Sequence, residues 1–212
     1  VLFATVMADE GEGDGSEANI APVQLTQPEA DMLAAASQGQ SPIVKSFVNG
    51  GVDVNVQGAT KKMSALMVAS AGGHKTCVEL LLGLGATVSI TDQLGLTALH
   101  YAAGAEEADV TKALLGNGGQ AIVNAQDAEG NTPLHFAAYS NRKEVAQLLI
   151  NAGADATIQD KDGKSPKDDA QEKEANDVLA VIEAGPQACT GTEVPDAEAT
   201  GAANADAAPA AE

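Results

Sequence analysis

The sequence predicts an all-α solenoid of stacked helix pairs, and three observations predict it. A helix-opening phrase, Asn131-Thr-Pro-Leu-His-Phe-Ala-Ala138, returns as Thr97-Ala-Leu-His-Tyr-Ala-Ala103, as Ser64-Ala-Leu-Met-Val-Ala-Ser70 and, degraded, as Ser165-Pro-Lys-Asp-Asp-Ala170. The cap residues Ser64, Thr97, Thr132 and Ser165 stand 33, 35 and 33 positions apart, the period of a helical repeat array. After each phrase comes a second apolar run at helical spacing closed by a glycine, as in Val145, Leu148, Leu149 and Gly153 or Cys77, Leu80, Leu81 and Gly85. A turn precedes the phrase at a fixed offset, with Asp92/Gly95, Asp127/Gly130 and Asp160/Gly163.

The phrase itself is physically legible. Thr132 suits an N-cap, where its hydroxyl can satisfy a free N–H, and Pro133 suits the next position, where no N–H is missed. Leu134 enters a core, and Ala137 and Ala138 let a second helix approach closely. Taken in order, Thr26-Gln-Pro-Glu29 has the form of a capping box, and Met32, Ala35, Ala36, Ile43, Phe47 and Val48 supply the core of a divergent first repeat ending at Gly50-Gly51. The connection 52–62 lacks the Asp-x-x-Gly turn, is one residue longer and carries Lys61 and Lys62, so the pattern does not set its shape. Repeat two runs from Ser64 to about Thr91 and repeat three from Asp92 to about Gln126. The third has Glu106-Glu107 in place of a Gly-His turn and two extra residues in Gly118-Gly-Gln-Ala-Ile122. Repeat four, Asp127 to Gln159, is the most regular. The last unit, Asp160 to Gly185, keeps Ala170, Val178, Val181 and Ile182 inside and sets Lys167, Asp168, Asp169, Glu172 and Lys173 outside, the polar face a terminal repeat needs.

TPLHxAA, then a helix ending in LLxxGA, then DxxGxT, resembles the ankyrin-repeat pattern from about Gln27 to Gly185, the span 27–185 forming about five units including divergent caps. What the resemblance implies is a curved stack of helix pairs with loop or hairpin fingers along one edge, serving protein recognition, with no fixed catalytic residues. It also implies that His100 and His135 tie hydrogen bonds between loops and that His74 sits in the turn between helices.

Composition limits the function classes. Trp is absent and aromatics make up 2% of the chain, which argues against an aromatic-lined ligand pocket or a base-stacking surface. The formal net charge is −19, and its placement is informative. Residues 1–44 hold 7 acids and no base, and residues 174–212 hold 8 acids and no base, leaving 15 acids against 11 bases between. Such a chain repels phosphate backbones, so no nucleic-acid partner is expected. Segment 1–26 reads as an apolar end followed by an acidic, disordered arm, and 186–212 as a disordered Ala- and acid-rich tail. Val6-Met7-Ala8 fits the small-residue rule for signal cleavage, so Val1 to Ala8 is either the end of a clipped targeting peptide or an interior stretch of a longer sequence. The first case places the chain outside the cell or in an organelle lumen, the second in the cytoplasm. Eight apolar residues cannot span a bilayer, which takes ~20. A fragment without the arms, 24–185, is expected to melt at nearly the temperature of the whole chain.

The two cysteines give no disulfide framework and no metal spacing; Cys77 reads as a buried thiol, and Cys189 lies in the tail. No Ser-His-Asp set, HExxH, phosphate loop or CxxC is present, and the Asp127 and Asp160 turns lack the twelfth-position Glu of a calcium loop. No catalytic, cofactor or metal residue is nominated. The expected function is non-enzymatic binding of a protein partner, one with a basic surface for the acidic arms. The alternative is a permanent structural subunit of a larger, organellar or membrane-associated assembly. The expected patch centres on Leu94, Leu96, Tyr101 and Tyr139, with Asn131 and Lys164 at its rim. Tyr101 and Phe136 also suit a half-buried helix position, whereas Leu94, Leu96 and Tyr139 are read as apolar side chains with no core to enter.

Overall fold

The computed structural model describes residues 25–186, which form ten α-helices and one 3-10 turn. The apolar end 1–8, the acidic arm, the tail beyond 186 and Cys189 lie outside the described residues. Five helix pairs follow one another: α1 (Gln27–Ser37) with α2 (Ser41–Asn49), α3 (Ala65–Ala71) with α4 (Lys75–Gly83), α5 (Ala98–Gly104) with α6 (Ala108–Gly116), α7 (Pro133–Tyr139) with α8 (Lys143–Asn151), and α9 (Pro166–Glu172) with α10 (Asn176–Ala184). First helices pack on first helices along the chain, and second helices on second helices, so each pair contacts only its neighbours in two layers.

One continuous core runs between the layers. Leu66, Leu99 and Leu134 enter it from the first helices, with Ala69, Ala102, Ala137 and Ala170 allowing close approach; Cys77, Leu81, Val110, Leu114, Val145, Leu149, Val178 and Val181 enter from the second helices. Burial pushes the Cys77 thiol up, as expected of a sulfur serving packing. In the first repeat the expected phase is off by one residue: Val44, not Ile43, is buried, and Ile43 is 45% exposed. Val44, Phe47 and Val48 make the i, i+3, i+4 stripe of α2, and Ile43 lies off it.

The joints follow from chain stereochemistry. Thr26 N–H donates to Glu29 Oε2 at 2.7 Å, closing the capping box. The turn between paired helices passes through a left-handed residue at Gly39, Gly73, Asn141 and Glu174. Repeat three departs from this: with Glu106-Glu107 there, Ala105 is extended instead, and Arg142 of the next repeat reaches back to Glu106 at 3.3 Å. The extra residues of repeat three fold into a 3-10 turn (Gly119–Ile122), followed by buried Val123. Segment 52–62 has its own closure: Gly58 N–H donates to Met63 C=O at 2.9 Å, and Lys62 takes a left-handed conformation. Among the described residues no helix is long and apolar enough to cross a membrane.

Candidate functional site

Three fingers precede α5, α7 and α9 and share one internal bond set. In each, the Asp Oδ1 accepts two backbone N–H groups: Leu94 and Leu96 on Asp92, Glu129 and Asn131 on Asp127, and Asp162 and Lys164 on Asp160, all at 2.8–2.9 Å. The Asp N–H returns a bond to the last residue's carbonyl, as from Asp127 to Asn131 C=O at 2.9 Å. The carboxylates are therefore committed to holding the loop closed. Successive fingers are stitched by one main-chain bond each: Gln93 N–H to Lys61 C=O, Ala128 N–H to Leu94 C=O, and Lys161 N–H to Glu129 C=O, at 3.1, 2.7 and 2.9 Å.

Below the fingers, the histidines of the helix-opening phrase join one repeat to the next. Thr97 N–H donates to His100 Nδ1 at 3.1 Å, so the ring proton is on Nε2, which donates to Asn131 C=O at 3.2 Å. Thr132, His135 and the Lys164 carbonyl repeat this at 3.0 and 3.2 Å. His thus takes the part that Glu plays in a capping box, while its far nitrogen holds the next finger. His74 Nε2 lies 2.9 Å from Ser37 C=O, tying repeat two to repeat one. All three imidazoles do structural work.

Burial holds His100 below its usual pKa, while the Asn131 carbonyl and the charges of Asp127 and Asp92 pull the other way. A folded pKa below the unfolded value of about 6.5 means this contribution is complete above pH about 6.5 and is lost as pH falls toward the folded value. His100→Gln keeps an acceptor for Thr97 N–H and removes the titration. Its melting temperature is expected to fall less than that of the wild type between pH 7.5 and 5.5; parallel curves would show that His100 carries no such linkage.

The structure separates the expected patch into three kinds of residue. Leu94 and Tyr139 are open, at 61% and 62% exposure. Leu96 is 8% exposed, which corrects the expectation that it has no place to be buried. Its N–H and C=O both close on Asp92, so it stands at the base of the finger, next to the cap residue Thr97, and not at the tip. Tyr101 is half-buried, its hydroxyl donating to Asp92 Oδ2 at 2.7 Å; burial, then that carboxylate, pushes its pKa up. Phe136 is half-buried with its ring edge-on to His100 at 5.5 Å. Both rings therefore hold the scaffold.

Asn131, Tyr139 and Lys164 do come together, in a groove of about 430 Å³ between the Asp127 and Asp160 fingers and helices α7 and α9. Glu129, Asp160, Asp162 and Asp169 complete its acidic wall. Asn131 Nδ2 donates to Asp127 at 3.2–3.3 Å, and Lys164 pairs with Glu172. The sequence pattern assigns Asp169 to the outer polar face. Its register shows otherwise, since it follows its cap by the same interval as Tyr101 and Phe136 follow theirs.

Comparison with known proteins agrees with this architecture. The family described as "Ankyrin repeats (3 copies)" matches residues 32–120 and, in an overlapping register, 66–162. The chain is similar to the phosphocholine transferase AnkX of Legionella pneumophila, 36% identical over 67 residues, covering 32% of this chain and 7% of that protein. It is similar to ankyrin repeat and SAM domain-containing protein 6 of Danio rerio, 39% identical over 83 residues, 39% of this chain and 11% of that protein. A third relative is protein HOS4 of Saccharomyces cerevisiae, 44% identical over 64 residues, 30% of this chain and 6% of that protein. The matched stretch is thus a small part of each relative. Ankyrin repeats generally act as protein–protein interaction modules. By its helix pairs, its stitched fingers and the matched span, the chain belongs to the ankyrin-repeat family.

Proposed function

We propose that the chain binds a protein partner, without chemistry of its own, through the surface made by the finger tips and the first helices of repeats three to five. The observation that carries this reading is the exposure of Leu94 and Tyr139 on that surface, while every other large apolar side chain of those repeats is at least partly covered. An exposed leucine and tyrosine gain most by desolvation against a partner, and aromatic residues concentrate binding energy at interface centres. The remaining finger atoms support the reading differently: their hydrogen bonds are satisfied internally, so the tips are preorganised and binding need not order them.

Leu94→Ser with Tyr139→Ser is expected to weaken partner capture by about 1–4 kcal/mol while leaving the far-ultraviolet helical spectrum unchanged, because neither side chain enters the core. Ile43→Ser, at the exposed site on α2, serves as the matched control and should leave capture intact. Retention of the partner by the double variant, with loss in the Ile43 variant, would transfer the interface to the second-helix side.

A further inference from the structure

The groove beside the Asp160 finger has chemistry more specific than an apolar contact. Four carboxylates line it against Lys161 and Lys164. Lys164 is drawn to Glu172, and Asp160 spends an oxygen on its own finger. Asp169 does neither. It is half-buried, and its carboxylate has neither a hydrogen-bond donor nor a close ion pair among the described residues; His135 and Lys164 act on it only through space. It stands where the neighbouring repeats carry Tyr101 and Phe136, so a carboxylate replaces a ring at the groove wall. The second observation is independent of the acids. The open ring of Tyr139 already holds a cation, with Lys173 Nζ 4.3 Å from its centroid, and that lysine is exposed and free to swing away.

Resting on the finger-face reading above, we propose that this groove is a subsite for an arginine side chain of the protein partner, its guanidinium stacked on Tyr139 in place of Lys173 and forked onto Asp169. The volume of about 430 Å³ accommodates one long side chain. A guanidinium suits the place better than an ammonium, because it is planar, weakly hydrated, and able to stack on a ring while its N–H groups pair with a carboxylate. Phe136 offers apolar wall to the aliphatic stem, and Glu129 and Asp162 add rim charge that draws the cation in. The groove excludes an acidic side chain for the same reasons.

The test uses the full chain and a blocked pentapeptide, Ac-Gly-Ala-Arg-Ala-Gly-amide, with citrulline and lysine versions, titrated by amide and tyrosine-ring NMR. The arginine peptide is expected to shift Tyr139, Asp169 and Lys173 with a Kd of about a millimolar, and the neutral citrulline peptide to bind about tenfold more weakly. Asp169→Asn should weaken the arginine peptide about tenfold, and Lys173→Ala should tighten it by roughly threefold by clearing the ring. Lys173 is exposed, so that variant decides the matter even if the Asp169 change disturbs folding. Equal binding of citrulline, shifts mapping elsewhere, equal binding of lysine, or no gain in the Lys173 variant would each overturn the arginine subsite. Failure of the peptide, with partner capture still lost on Leu94→Ser/Tyr139→Ser, sinks the subsite alone. Peptide binding with partner capture kept in that variant sinks the finger-face reading alone.

Discussion

Leu134→Ala is expected to destabilise the chain by about 2–5 kcal/mol, measured as the loss of unfolding free energy in a denaturant titration. Leu134 is 0% exposed on α7, a helix that packs on α5, α8 and α9 at once. Truncation removes apolar contact on several sides and leaves a cavity that the rigid, alanine-lined surroundings cannot close. Position in the stack matters as much as burial. A solenoid is stabilised by interfaces between neighbours, so weakening a central unit uncouples both halves, whereas half-buried Leu179 lies on α10, which among the described residues has a neighbouring repeat on one side only. Leu179→Ala should cost clearly less. A Leu134 variant within experimental error of the wild type would remove the residue from the core, and equal costs at the two positions would deny the neighbour-by-neighbour account.

Repetition is what made the fold legible. A cap, an inward leucine and two alanines recurring in register leave few alternatives, and the helices begin after Ser64, Thr97, Thr132 and Ser165 as the phrase requires. The misplacements fall where repetition stops helping. Ile43 and Val44 are adjacent apolar residues in a divergent unit, and only the packing of α2 decides which is inside. The two extra residues before Val123 gave no periodic signal, yet fold into a 3-10 turn that returns the chain to the core.

The candidate site was less legible for a related reason. Leu94 and Leu96 look equivalent as apolar residues flanking a turn glycine, but the two hydrogen bonds between Asp92 and Leu96 make one the base of the loop and leave the other at its tip. Tyr101 and Tyr139 look equivalent as the chain's two tyrosines, and a carboxylate nine residues upstream makes one structural. Side-chain partners across the finger, which the spacing of types does not encode, separate scaffold from free surface. Asp169 shows the converse: its repeat position carried the information, and its charge concealed it.

Gly130→Ala is expected to cost about 1–3 kcal/mol from its backbone alone, since φ is 89°, where a side chain is strained. A second cost comes from the neighbouring finger. A Cβ at Gly130 would stand 3.0 Å from Asp160 Cα and 3.1 Å from Lys161 N, and Lys161 N–H is the donor that stitches the two fingers through Glu129 C=O. Backbone cannot rotate away as a flexible side chain would, so relief comes by parting the fingers and stretching that bond. Gly163 supplies the internal reference. It has φ of 78° in the same turn, but no finger follows it among the described residues and nothing lies within 4 Å of the added carbon. Gly163→Ala should therefore show the backbone cost alone, and Gly130→Ala should exceed it by about the worth of one hydrogen bond, ~1 kcal/mol. Amide exchange at Lys161 should rise in the Gly130 variant and stay unchanged in the Gly163 variant. Equal destabilisation with unchanged Lys161 exchange in both would mean that the fingers are spaced by the helices beneath them and not by their own contact.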